Sequence, residues 1–221
     1  MELIERNIIN NDWVTLIFLF LFSLIALSNF LYAEKFYSFR QLFVSNRYFT
    51  TQQGNFQVFN KFTTILFVVS TTIISLGIFL LAEKLEMVQT NTTRFIFFLR
   101  IFILVNLLIS IKYFIEKIIA NIFDTDKVID QYLFHKITYK NLITICFLPI
   151  LILFFYTFNV NLTTIIVAIS VYAFVNIYIL IKHYTKNQEI VFRYWFHFIL
   201  YLCTLEIAPY VILYKIITVQ N

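Results

Sequence analysis

The chain has 221 residues, 61% hydrophobic and only 13% charged, with a formal net charge of +5. Soluble domains are about 45–50% apolar and about 25% charged, so this composition excludes a water-soluble globular fold. Two glycines and two prolines are too few for the frequent turns of a transmembrane β-barrel, which leaves helices.

A hydrocarbon core of about 30 Å takes roughly 20 apolar residues per helix. Six stretches qualify, at about 13–33, 63–82, 95–114, 142–159, 163–181 and 194–214. The expected fold is therefore all-α: a polytopic bundle of about six transmembrane helices, forming one membrane domain over residues 1–221. The leading MELIERNIINNDW is acidic and polar. The first apolar run exceeds the roughly 7–15 residues of a signal-peptide core, so it reads as a retained span.

Between the first two spans, Phe36, Phe39 and Phe43 recur at helical spacing while Lys35, Arg40 and Arg47 point elsewhere. That pattern predicts a basic amphipathic helix in the membrane interface. It reads either as a plain surface anchor or as a contact for an anionic lipid headgroup or a partner. The second span carries Ser70, Thr71, Thr72 and Ser75, the third Asn106, and the fifth Asn176. Small hydroxyl residues pack helices in lipid and asparagines bond across them, so all are assigned to helix contacts. IEKIIANIF continues the third span, and DTDKVIDQYLFHK predicts a short surface helix opening at Asp124 or Thr125. Pro149 marks a kink in the fourth span, and NVNL turns it tightly into the fifth.

The connections differ in charge. Residues 34–62, 112–141 and 182–193 hold 12 of the basic residues, including Lys112, whereas the opposite side holds Arg6, Lys84, Arg94 and Lys215. The positive-inside rule puts the richer side in the cytoplasm and both termini outside. NTT at Asn91 and NLT at Asn161 match the glycosylation pattern on the outward side, as chance in a threonine-rich chain allows.

Two charges lie within spans. A charge at the bilayer centre costs about 2.5–3.5 kcal/mol on insertion scales and calls for a partner. At 1.5 Å per residue, Arg100 lies about 8 Å below the outer end of the third span and Glu206 about 12 Å below that of the sixth. The matching depth predicts an Arg100–Glu206 pair in the bundle interior. Glu206 has three readings: a structural ion pair, a proton or cation site, or a protonated hydrogen-bonded side chain. Pro209 removes the amide that would bond the carbonyl of Leu205 and kinks the helix beside it.

No HExxH or GxSxG occurs, and Gly54 and Gly77 alone build no phosphate loop. His135, His183 and His197 lack metal-ligand spacing, and Cys146 and Cys203 read as buried small hydrophobes rather than a disulfide. The expectation is a chain without catalytic residues, metal, cofactor or nucleic-acid partner.

The tail YLCTLEIAPYVILYK, after the aromatic YWFHFI, resembles the C-terminal signature of an uncharacterised bacterial inner-membrane family, domain of unknown function 4271. Cys203, Glu206, Pro209 and Lys215 stand at its marked positions. SFRQLF around Arg40, IKYFIEKIIANIF with Lys112, and FLP at Pro149 fit the remainder. The resemblance implies a multi-pass cytoplasmic-membrane protein of about this size and brings no activity with it.

Two functional expectations follow. The first is a non-catalytic subunit or accessory factor of an envelope complex, meeting membrane lipids and other membrane proteins or its own copies. The second is a small transporter or lipid-handling protein that uses the Arg100/Glu206 pair, with Arg40 and Arg47 steering anions. Pairing predicts that Arg100→Leu and Glu206→Leu each block membrane accumulation and that the double variant restores it. Independent losses measured by immunoblot of membrane fractions would defeat it.

Overall fold

The computed structural model describes residues 12–43, 48–49, 60–85, 93–122, 126–156 and 160–186. It divides into two compact units, Met1–Phe174 and Val175–Asn221, and the contacts below lie within the first. Six α-helices and no strand occur among the described residues: α1 (Asp12–Leu31), α2 (Ala33–Arg40), α3 (Lys61–Lys84), α4 (Arg94–Ile122), α5 (Asp126–Tyr156) and α6 (Leu162–Lys186). Five of them, all but α2, contain a stretch long and apolar enough to cross a membrane. These match the first five expected spans; the sixth lies outside the described residues.

Local chemistry sets the helix ends. Asp12 occupies the first turn of α1, where a carboxylate complements the positive end of the helix dipole. Asn60 has extended backbone before α3, and its carbonyl accepts the Thr64 amide at 2.9 Å and the Thr64 hydroxyl at 3.1 Å. Asn161 starts α6 in the same way, its carbonyl accepting the amides of Thr164 and Ile165. Tyr32 departs from helical geometry and divides α1 from α2, yet its amide still bonds the Ser28 carbonyl.

Helix α3 is the hub and packs against α1, α4 and α5. Its neighbours α1 and α4 run antiparallel to it, and α5 runs parallel to it. Trp13 of α1 meets Phe79, while Tyr32 at the other end of α1 meets Phe62. Glu83 meets Arg94 at the start of α4, and Phe79 stacks on Phe155 near the end of α5. Ser70, Thr71, Thr72 and Ser75 are all buried; the hydroxyls of Thr71, Thr72 and Ser75 donate to carbonyls of their own helix, and the single Ser70 proton lies within reach of both the Phe67 carbonyl and Asn141 Oδ1. Short side chains whose polar atoms are already satisfied let neighbouring backbones approach. A Cβ on Gly77 would stand 3.4 Å from Leu151 Cδ1, an ordinary van der Waals contact, so α5 packs on α3 there through the Leu151 side chain.

Two apolar clusters result. One joins Phe18 and Leu21 of α1, Leu76 and Phe79 of α3, Phe98 of α4, and Leu148 and Phe155 of α5. The other, at the basic end, joins Phe39, Leu42, Tyr48 and Phe49 to Phe62, Leu66, Leu133, Phe134 and Leu142. Tyr48 stacks on Phe134 at 5.9 Å, so the connection after α1 folds onto α5. Phe39, read from sequence as membrane-facing, is buried in the protein itself. The side chain of Phe43 lies outside the described residues.

Three expectations are corrected. The predicted surface helix and the fourth span are one continuous helix, α5, because no glycine or proline interrupts residues 126–148. Cys146 is exposed rather than buried: it lies on the side of α5 turned away from Asn141, which faces α3. Asn106 donates to the Phe102 carbonyl of its own helix and not across helices. Asn141 makes the interhelical bond instead, accepting from the Ser70 hydroxyl at 2.7 Å.

Phe79 is fully buried at the junction of α1, α3, α4 and α5. Phe79→Ala is expected to lower stability by about 3 kcal/mol, as emptied aromatic sites do. Leu107→Ala, on the open face of α4, should leave the melting temperature in detergent unchanged.

Candidate functional site

The two ends of the bundle differ in chemistry. At the end holding Asp12, Trp13 sits among Phe79, Phe95 and Phe98, with ring centroids 5.3–5.7 Å away. There Arg94 bridges to Glu83 at 2.5 Å and lies over the Phe79 ring. At the opposite end the charges gather between α4 and α5.

That ionic group grows from two helices joined by a short turn. On α4, Lys112 and Glu116 are four residues apart and share a face; on α5, Lys136 and Lys140 do the same. The Lys136 ammonium donates to Glu116 Oε1 at 3.3 Å, and Lys117 donates to both oxygens of Asp130 at 2.6 and 2.8 Å. These two bonds fix the antiparallel register. One turn further along both helices, the same register sets Lys112 opposite Lys140. Lys112 and Lys136 both repel the Lys140 ammonium, and Glu116 attracts it. Lys112 and Lys140 are half-buried, whereas Glu116 is only 3% exposed, so its charge is committed to the protein interior.

Around this group the polar chemistry is mostly structural. Thr144 donates to the Lys140 carbonyl at 2.7 Å, and its hydroxyl lies 2.9 Å from that of Tyr172 on α6. His135 is buried and stacks on Phe49 at 3.8 Å, which makes it a member of the aromatic cluster. No group of three or more potential metal ligands occurs among the described residues.

The residues singled out from sequence are scattered. Arg100 is exposed on α4, with Leu99, Ile103 and Leu104 exposed beside it. Lys35 and Arg40 stand on α2 over the rings of Tyr32 and Tyr37, each at 5.9 Å. Pro149 lies inside α5, where its missing amide leaves the Ile145 carbonyl without its usual helical donor. Glu206, Pro209 and Arg47 lie outside the described residues, and so does the proposed Arg100 partner. Of these residues, Lys112 alone falls in the ionic group. Glu116, Lys136 and Lys140 were passed over because residues 112–141 read as a connection whose lysines only set orientation. The signal was present in the paired four-residue spacings on either side of one turn.

Five helices long and apolar enough to cross a membrane, three of them packed on one another through α3, mark a helical multi-pass membrane protein. Residues 14–217 match the family described as Domain of unknown function (DUF4271), and the chain belongs to that family. No curated protein and no solved structure matches it.

The two ion pairs should differ in weight. Glu116→Ala leaves Lys136 beside a vacated interior position and is expected to cost about 3 kcal/mol. Asp130→Ala breaks a pair whose side chains are 38% and 30% exposed, and solvent screening reduces the expected cost to about 0.5 kcal/mol. Unfolding of both variants in detergent measures the contrast, and equal losses would contradict it.

Proposed function

We propose that this protein is a non-catalytic subunit or accessory factor of a bacterial envelope complex, held in the cytoplasmic membrane with both termini outside. The observation that carries this reading is the open face of α4. Ile96, Leu99, Ile103, Leu104, Leu107 and Leu108 are exposed along it, and Arg100 stands among them. Apolar side chains there are at home in lipid, but an arginine costs about 2.5–3.5 kcal/mol at the bilayer centre unless a partner answers it. A charge on an otherwise lipid-compatible face suits a helix that docks against another membrane helix carrying a carboxylate.

The positive-inside rule supports the orientation, because the lysine-rich α4/α5 end then faces the cytoplasm. There α2 would lie at the interface, with Arg40 exposed to headgroups and Phe39 turned into the protein.

The test is purification of a tagged, chromosomally expressed copy in mild detergent. A second membrane protein should co-elute in stoichiometric amount, and Arg100→Leu should reduce its recovery per copy of the tagged chain that reaches the membrane. A chain that elutes alone, or a partner whose recovery ignores Arg100→Leu, would overturn the proposal. Recovery of self-assembled copies alone would replace the accessory role with a homo-oligomer.

A further inference from the structure

Helices α1, α4 and α6 all turn apolar faces outward, but α1 beyond Asp12 and α6 up to Ile179 contain no charged residue. Lipid alone suits both of those faces. The face of α4 differs. Ile96, Arg100, Ile103, Leu107, Ser110 and Phe114 are all exposed, and they recur at spacings of four and three residues. That spacing aligns them in one stripe, the seam along which one helix packs against another. Ser110 within the stripe leaves room for a close approach.

Arg100 stands six residues from Arg94, about 9 Å along α4. No carboxylate among the described residues pairs with it. Helical side chains lean toward the N-terminus, which on α4 is the end bridged to Glu83. The guanidinium therefore lies in the third of the span nearest Arg94.

A second copy of this chain would not answer it. Copies inserted in one orientation pair about an axis along the membrane normal, so each residue of the stripe meets its own counterpart at equal depth. Two arginines would then face each other, and their repulsion grows where water is excluded. The complementary surface belongs to a different chain.

We propose that the α4 stripe takes a transmembrane helix of a different protein, whose aspartate or glutamate pairs with Arg100 in the third of the membrane nearest Arg94. The planar guanidinium can give both carboxylate oxygens parallel bonds, and the apolar residues of the stripe supply the packing. The pairing rests on the accessory role proposed above and names the chemistry and depth of its partner.

The probe is a leucine-rich single-span helix with a basic flank to fix its orientation, coexpressed with the tagged full-length chain in a heterologous host. It carries glutamate in the third of the span nearest the level of Arg94, glutamate in the opposite third, or glutamine at the first position. Probe recovered in mild detergent, per copy of tagged chain in the membrane, should be about fivefold higher for the first helix than for the other two. Arg100→Leu should remove that preference. Arg100→Glu should reverse it, recovering a lysine-bearing helix in place of the glutamate-bearing one, which a merely damaged fold would not do. With Cys146 and Cys203 replaced by alanine, Leu107→Cys should form a disulfide with a cysteine in the bound helix. Leu108→Cys, on the flank of the stripe, should not.

Equal recovery of the glutamate and glutamine helices overturns the proposal, and so does a preference for the opposite third. A wild-type chain that ignores every probe while Glu206→Gln admits the glutamate-bearing one also overturns it, because Glu206 then answers Arg100. If the preference is absent yet a natural membrane protein co-elutes in an Arg100-dependent manner, the accessory role stands without the depth and chemistry assigned here. If the preference holds and no natural partner elutes, the stripe is confirmed and the accessory role alone fails.

Discussion

The close seam between α3 and α5 is the constraint on which the rest of the bundle depends. In lipid there is little hydrophobic drive to bring one apolar helix against another, so contact has to come from fit and from polar bonds. Here Leu151 packs against Gly77 at ordinary contact distance, and Ser70 bonds Asn141 across the helices. The remaining hydroxyls of α3 satisfy themselves on their own helix, which keeps its surface smooth and apolar. With α5 fixed on one side, α1 and α4 take the remaining faces of α3, and Phe79 fills the junction.

The seam also determines where charge can go. Since α4 and α5 both lean on α3 and run antiparallel, their lysine-rich ends meet beyond the apolar core. Glu116 is buried there at little cost only because Lys136 reaches it from the facing helix. The aromatic cluster of Tyr48, Phe49 and Phe134 covers the neighbouring side of α5 and takes His135 into a stack. Ionic and aromatic groups therefore share one end of the bundle. The other end closes with Trp13 and the Arg94–Glu83 bridge.

Much of this architecture was legible in the sequence, and what was not has physical causes. Span positions follow from hydropathy and length alone, so α1, α3, α4 and α6 begin and end close to their expected places. The continuity of α5 was missed because its charged first turns read as a separate surface helix before the apolar span, although nothing in residues 126–148 breaks a helix. Cys146 and Asn106 were misjudged for a different reason. In a helix apolar on every side, periodicity does not say which face meets protein, so neither burial nor a bonding partner follows from composition. The Ser70–Asn141 bond was out of reach for the same reason, as it depends on the rotation of two helices about their axes.

The α4/α5 ionic group shows how register couples ordinary lysines to particular neighbours. Lys112, Lys136 and Lys140 were counted from sequence as contributors to a charge bias, and a bias requires no particular geometry. Once the Glu116–Lys136 and Lys117–Asp130 bonds align the helices, Lys112 and Lys140 are no longer independent. That register is held by the α3 seam and by the buried carboxylate, so the placing of Lys112 and Lys140 is a consequence of contacts made elsewhere.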